Sequence, residues 1–466
     1  MSEKNEAFRD SIGTITEEGN RNWIFPKKPH GKFYNARTIV SIVYLIVFFT
    51  LPWIKIDGEP LFLFNIIERK FILFGQIFWP QDFFIFVFAM LTFLVFIVLF
   101  TVVFGRIFCG WVCPQTIFME MVFRKIEYWI EGDADKQRAL AKMPWNQEKI
   151  LKRSAKFIAF FTLSFVIANY FLSYLIGMDR VMLYVREGIF EHLSVFIPLL
   201  FFSAVFFFVY WWFREQACLI VCPYGRLQGV MLDPNSIVVA YDHVRGEPRS
   251  KFKKHRDEAE KIGDCVDCFE CVKVCPTGID IRNGTQLECV NCTACIDACD
   301  AIMTKFNRPI GLIKYASENN IAKGEKTKFT TRTKAYTAVL VVLLSILVAL
   351  LFSRKDIQTN VMRAQGMLYQ EQPNNQISNL YNITLVNKTR KDIPVTLELE
   401  EPKVPGAIKM VGNGLVVPKE AMGNGVFFIY VDKNIFTKRH NKIKVGVYSK
   451  GKKIDVVKTS FLAPGS

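Results

Sequence analysis

Five apolar runs divide the chain, with polar or charged stretches between them. A helix needs about 20 such residues to cross the hydrocarbon core of a bilayer. The runs occupy 38–54, 82–104, 157–176, 193–213 and 335–352, the first being short. The stretch 60–80 is apolar too, but Glu68, Arg69 and Lys70 interrupt it. Charges at that depth are costly, so it reads as interfacial or re-entrant rather than as a sixth span. Beyond 353 the pattern changes. LYNITLVNKT, IPVTLELEE, GNGVFFIYVD, NKIKVGVYSK and KIDVVKTSFL alternate or carry β-branched residues. Gly412-Asn413-Gly414 and Lys450-Gly451-Lys452 supply turn residues between them. Short strands at such spacing predict a small β-sandwich.

The fold class follows: a multi-domain membrane protein whose five-span helical bundle is joined to an all-β C-terminal domain. The divisions fall at 1–37 (polar N-terminal segment), 38–213 (four spans), 214–334 (a long loop), 335–352 (fifth span) and 353–466 (β-domain). The N-terminal segment lacks the charged-then-apolar order of a cleaved signal peptide, so targeting falls to the first span.

Charge orients these spans. Arg106, Arg124, Lys125, Lys136, Arg138, Lys142, Lys149, Lys152 and Arg153 crowd the loop between the second and third spans. Only Arg69 and Lys70 lie between the first and second, and only Arg180 and Arg186 between the third and fourth. The positive-inside rule then puts the N-terminus and the 214–334 loop in the cytoplasm, and the β-domain outside, in the periplasm of a cell that has one. Composition agrees: the 466 residues are 51% hydrophobic and include 43 phenylalanines. The formal charge of +16 is accounted for by cytoplasmic loops. No basic helix carries base-reading spacing, so nucleic acid is not an expected partner.

All 12 cysteines lie between Cys109 and Cys299. Their short spacings favour metal ligation in a reducing compartment over a disulfide framework. Within 260–305 the motif C-x2-C-x2-C-x3-C occurs twice, as Cys265, Cys268, Cys271, Cys275 and as Cys289, Cys292, Cys295, Cys299. This is the bacterial run for two [4Fe–4S] clusters, in which the fourth cysteine of each set ligates the other cluster. One cluster is therefore assigned to Cys265, Cys268, Cys271 and Cys299, and the second to Cys289, Cys292, Cys295 and Cys275. Paired zinc sites are the rival, but zinc needs neither three cysteines per run nor a crossed fourth ligand. Asp300 stands where the first set has Pro276. No dinucleotide-binding glycine motif is present, so electrons must come from a separate donor.

Four further cysteines form a weak repeat. FGRIFCGWVCP follows the second span and WFREQACLIVCP the fourth. On a continuous helix, Cys109 with Cys113 and Cys218 with Cys222 would each share a face. The two pairs would sit at one depth and could converge as a four-thiolate site, with Arg106 and Arg214 favouring thiolate. Soft thiolates select copper(I), zinc or iron–sulfur clusters. The alternative is buried, inert cysteine. Met119, Met121 and Met231 lie just downstream and read as packing. His30, His192, His243, His255 and His440 form no bis-histidine pair, so haem is not expected.

The five spans, two C-x3-C-P motifs, a cytoplasmic di-cluster loop and an external β-domain together resemble the CcoG (FixG/RdxA) family of cytochrome c oxidase accessory proteins. The resemblance covers nearly the whole chain. C-x3-C-P pairs also occur in NapH- and NosR-like membrane ferredoxins; the β-domain after the fifth span tilts the choice. The family implies an immunoglobulin-like fold for that domain and a bacterial inner-membrane location. It implies reduction of Cu(II) to Cu(I) during assembly of a cbb3-type haem–copper oxidase. Cys109, Cys113, Cys218 and Cys222 would then be the catalytic thiols and candidate copper ligands, beside two [4Fe–4S] clusters. Expected partners are membrane lipid, copper with its chaperone or transporter, the oxidase assembly factors, and an electron donor the sequence does not identify. Two other readings stand beside this one: a quinol-oxidising electron-transfer subunit and a non-redox assembly scaffold.

Overall fold

The computed structural model describes residues 14–15, 18, 20–66, 70–78, 83–250, 262–324, 330–353, 357–364, 366, 368–373, 375–389, 391–404, 407–412, 414–419, 421–436 and 438–464. It folds as two compact units, one of 1–54, 60–66 and 84–347, the other of 55–59, 67–83 and 348–466.

Five helices of the described residues are long and apolar enough to cross a membrane: Lys32–Trp53, Phe83–Phe104, Gln147–Ile176, Leu193–Phe213 and Thr331–Phe352. Two of them start well before their apolar runs. The third opens on Asn146, whose side chain accepts the Lys149 N–H at 2.9 Å, so a basic turn precedes the greasy part. The first opens at Lys32 because Asp297, far along the chain, accepts the N–H groups of Phe33 (3.1 Å) and Tyr34 (2.8 Å). Those are orphan donors of a helix N-terminus, and Gly31 at the cap position supplies no side chain. The segment expected as interfacial or re-entrant contains no spanning helix among its described residues. It forms short strands, Phe62–Asn65, Lys70–Leu73 and Gln76–Phe78, the last two paired as a hairpin. Glu68 and Arg69 lie outside the described residues, as does His255.

Aromatic rings fill the bundle interior. Phe123 stacks on Tyr210 at 4.5 Å, and Phe118, Phe160 and Phe48 close around them. At one edge of this core lies a buried ion network. Glu127 accepts from Lys156 (2.6 Å) and Arg214 (2.9 Å), with Arg124 at 3.7 Å. Burial alone would raise the Glu127 carboxyl, but the three cations outweigh it and hold the carboxyl well below its usual range.

The second unit holds an antiparallel sandwich. One sheet orders Ile408–Met410, Met422–Asp432, Gln376–Asn387 and Ile357–Arg363, with Gln370–Gln372 paired to the 376–387 strand. The other orders Leu415–Val417, Ile393–Glu401, His440–Ser449 and Lys452–Leu462. Alternation puts Ile377, Tyr381, Ile383 and Leu385 inside, against Phe427, Ile429, Val445, Val447 and Phe461. Tyr381 stacks on its cross-strand partner Phe427 at 5.4 Å and donates its hydroxyl to the Ser460 carbonyl. Lys450 and Gly451 both have positive φ, 46° and 78°, which is the demand of a tight two-residue hairpin. Asn413, in the other expected turn, lies outside the described residues.

Candidate functional site: two thiol-lined cavities and a membrane-edge quartet

The two C-x2-C-x2-C loops adopt the same conformation. In each, the residues flanking the second cysteine are left-handed: Asp267 (φ 51°) and Phe269 (φ 59°), then Asn291 (φ 54°) and Thr293 (φ 65°). Asp and Asn tolerate this region, whereas Phe and Thr hold it at a cost of order 1–3 kcal/mol each. That strain persists because it curls each loop around a cavity. Short helices follow, Glu270–Lys273 carrying Cys271 and Ala294–Lys305 carrying Cys295 and Cys299.

The first cavity is lined by Cys265, Cys268, Cys271 and Cys299, among Tyr241, Met303 and Ile313. Cys275, Cys289, Cys292 and Cys295 line the second, with Cys271 at its border. The fourth cysteine of each run therefore lies in the other run's cavity. Arg282 braces the first cavity: it lies 4.1 Å over the Phe269 ring and pairs with Asp280 and Asp267 at 2.6 Å each. Asp300, in the place of a proline, accepts the Gly311 N–H at 2.8 Å and pins the following loop.

Burial pushes these thiols up, Cys271 and Cys289 to about 12 and Cys292 to about 11. Thiolates in such surroundings need a positive partner, which metal supplies. Among the described residues no three His, Cys, Asp or Glu side chains stand close enough to hold one metal ion. A lone zinc would draw four sulfurs to about 2.3 Å from one centre. Each cavity gathers four thiols, the ligand number of a [4Fe–4S] group.

The membrane-edge cysteines do not lie on continuous helices. After the second span Gly105 turns left-handed (φ 57°), one turn Ile107–Trp111 carries Cys109, and Cys113 is extended (φ −58°, ψ 127°). After the fourth span Arg214 turns left-handed (φ 52°), a π-turn Ala217–Val221 carries Cys218, and Cys222 is extended (φ −66°, ψ 109°). In both, the N–H of the second cysteine returns 2.9 Å to the carbonyl before the first, Phe108 or Ala217. Proline then opens a new helix, Pro114–Thr116 or Pro223–Met231. Proline cannot donate to the preceding turn, so the break is local in cause. Shared faces across i, i+4 are thus replaced by two copies of one hook.

The hooks meet. Phe108 packs edge-on to Tyr224 at 6.2 Å, and the Cys109 thiol donates to Gln228 Oε1 at 3.1 Å. Each of the four thiols lies within electrostatic reach of the other three. The two hooks thus bring the four thiols together, with extended Cys113 and Cys222 closing each turn. The arginines do not set thiolate character. Burial pushes Cys109 to about 12, with Arg106 only a partial offset. Burial likewise pushes Cys218 to about 12, and Arg214 is committed to Glu127. Met119 and Met121 are buried in the bundle, as packing residues should be.

Sequence reasoning missed the contact between these regions. Cys109 packs on the buried cluster of Val290, Cys292 and Ala294 at the second cavity. The Arg106 guanidinium donates to the Leu287 carbonyl, and Arg37 Nε to the Gly110 carbonyl at 3.0 Å. Only the Gly in C-G-W-V-C hinted at a close approach.

Known proteins share these features. A 4Fe-4S dicluster domain family matches residues 213–318, a 4Fe-4S binding domain family matches 86–133, and the immunoglobulin-like fold at the C-terminus of FixG matches 347–464. The nitrogen fixation protein FixG of Rhizobium meliloti is 39% identical over 65% of this chain and 58% of its own length. This chain thus spans little more than half of that relative. Protein RdxA of Cereibacter sphaeroides is 32% identical over 88% of this chain and 89% of its own. Protein RdxB of the same organism is 33% identical over 79% and 80%.

Proposed function

The chain belongs to the FixG/RdxA family of iron–sulfur electron-transfer membrane proteins, and from that premise we propose that it reduces Cu(II) to Cu(I) for a cbb3-type cytochrome c oxidase under assembly. Copper is the substrate, and the step adds one electron to it. Cys265, Cys268, Cys271 and Cys299 would hold one [4Fe–4S] cluster, and Cys275, Cys289, Cys292 and Cys295 the other. When bound, these groups supply one-electron transfer.

The observation that carries the reading is the packing of Cys109 against the wall of the second cavity. It joins the thiol-lined cavities to the sulfurs at the membrane edge. Cys109, Cys113, Cys218 and Cys222 offer soft donors, which favour the cuprous product. Arg37 and Arg106 fix the first hook on the cluster-binding loop, and Gln228 orients the Cys109 thiol. The charge pattern of the loops supports a cytoplasmic ferredoxin region and a periplasmic sandwich in the inner membrane.

The test reduces the anaerobically purified chain with dithionite, removes the excess, adds Cu(II) and reads Cu(I) with a cuprous chelator. Wild type should form Cu(I), and Cys113→Ser combined with Cys222→Ser should abolish Cu(I) formation with iron content unchanged. An unaltered rate in that variant would remove copper from these thiols.

One feature favours the quinol reading. A cavity of about 360 Å³ is lined by Gly229, Leu232, Asp233, Leu287, Glu288 and Glu318, beside Cys289. Reduction by a quinol analogue, with no response to copper, would select it.

A further inference from the structure

The two hooks are near copies in backbone, yet only one can touch the ferredoxin region closely. A Cβ on Gly110 would lie 2.6 Å from the carbonyl oxygens of both Val290 and Asn291. Real Cβ atoms essentially never come that near, so the hook lies backbone to backbone on the Cys289–Cys292 loop. At the matching place in the second hook, directly after Cys218, stands Leu219. Its side chain forbids the same approach.

A polar clamp surrounds the contact. Trp111 Nε1–H donates to the Tyr315 hydroxyl at 3.0 Å, and that hydroxyl reaches the Asn291 carbonyl at 3.4 Å. Phe33 lies edge-on to both rings, at 6.4 Å and 6.1 Å. Asn291 is 2% exposed, and its Oδ1 accepts from the Val239 N–H at 3.3 Å. The left-handed conformation of Asn291 turns its carbonyl toward the hook's side of the loop, where Gly110 meets it.

We infer that Gly110, clamped by Trp111 and Tyr315 onto the Val290–Asn291 peptide, is the positioning residue through which electrons reach the membrane-edge thiols, and that the first hook alone receives them. The inference rests on the proposed electron flow from the cavities to copper. One electron leaves the reduced ferredoxin region and one Cu(II) becomes Cu(I); no bond to carbon, oxygen or hydrogen changes, and dithionite supplies the electron in the assay. Tunnelling between fixed sites depends on separation, so a hook lifted by one methyl group loses rate without losing its metal.

The experiment compares wild type with Gly110→Ala in the full chain, after iron and sulfide analysis and a potential titration. Reduced protein is mixed with Cu(II), or with ferricyanide, which takes electrons at the exposed ferredoxin face. Re-oxidation by Cu(II) should slow several-fold, because tunnelling falls exponentially with separation. The ferricyanide rate, iron content and potentials should stay unchanged. Amide hydrogen exchange across 287–292 should rise, reporting the lifted contact without any turnover. An undiminished Cu(II) rate overturns the inference, and so does an equal loss with ferricyanide. Should Gly110→Ala lose iron, Tyr315→Phe replaces it: it breaks both clamp bonds, and an unchanged Cu(II) rate there overturns the inference. If wild type itself passes no electrons to Cu(II), the proposed reaction fails separately. The contact is then judged by exchange alone, and unchanged protection in Gly110→Ala overturns it.

Discussion

Phe427 and Cys292 both sit in buried interiors, 0% and 8% exposed, yet the two interiors are held by different forces. The core around Phe427 is mostly hydrocarbon, rings and branched chains from two sheets interleaved, and its buried Asn379, Asn387 and Tyr381 donate to backbone carbonyls. Burying each apolar side chain contributes roughly 1.5–3 kcal/mol, so this core needs nothing from outside the chain. The interior around Cys292 gathers thiols, left-handed backbone and a buried asparagine. Its groups are costly to bury until metal supplies the charge they lack. A region built for electrons gives up self-sufficiency, while the sandwich keeps it.

The comparison breaks most sharply at a ligand. Cys292→Ser should remove one of the two clusters outright, halving iron and sulfide, while the calorimetric transition of the sandwich stays in place. A shared loss would show that the two regions do not differ as argued. The reverse test is Phe427→Ala, which should cost the sandwich about 3–5 kcal/mol and leave iron content and its EPR signals untouched. Next in size is Asp297→Ala. It removes the acceptor of the Phe33 and Tyr34 N–H groups, and losing such a cap costs about 1 kcal/mol. The loss should appear in denaturant titrations followed through the ferredoxin region and not through the sandwich.

The smallest effect is acid sensitivity. Burial pushes the Asp280 carboxyl up, but bonding to Arg282 more than reverses this, so its folded value lies below its unfolded one. A depressed carboxylate contributes stability that is complete above the unfolded value, about 4. That contribution is lost as pH falls from there through the folded value. Cluster loss on acidification should therefore accelerate below about pH 4 in wild type. Asp280→Asn should flatten that dependence, measured as the rate of visible bleaching at stepped pH.

Much of the architecture could be read directly because its signals are local. Twenty-odd apolar residues in a row have few fates other than a membrane span. Strand alternation along 376–387 and 422–432 declared which residues would face inward, since side chains in a strand alternate by geometry alone. Other features resisted reading. Cys109 and Cys113 suggested one helix face, but Pro114 and the extended Cys113 broke it. Arg214 suggested an electrostatic neighbour for Cys218, but Glu127, from a distant segment, had claimed it. The short strands of 60–80 were hidden because apolar content alone does not separate an interfacial loop from paired strands.

Spacing by itself determined the number of spans, the alternating faces of the sandwich and the ligand-bearing character of the cysteine runs, because each follows from chain geometry within a few residues. Only the tertiary structure decided that the two membrane-edge hooks meet and that Gly110 lies on the Val290–Asn291 peptide. Those outcomes depend on segments more than a hundred residues apart coming within van der Waals contact, and no local pattern encodes the distance between them.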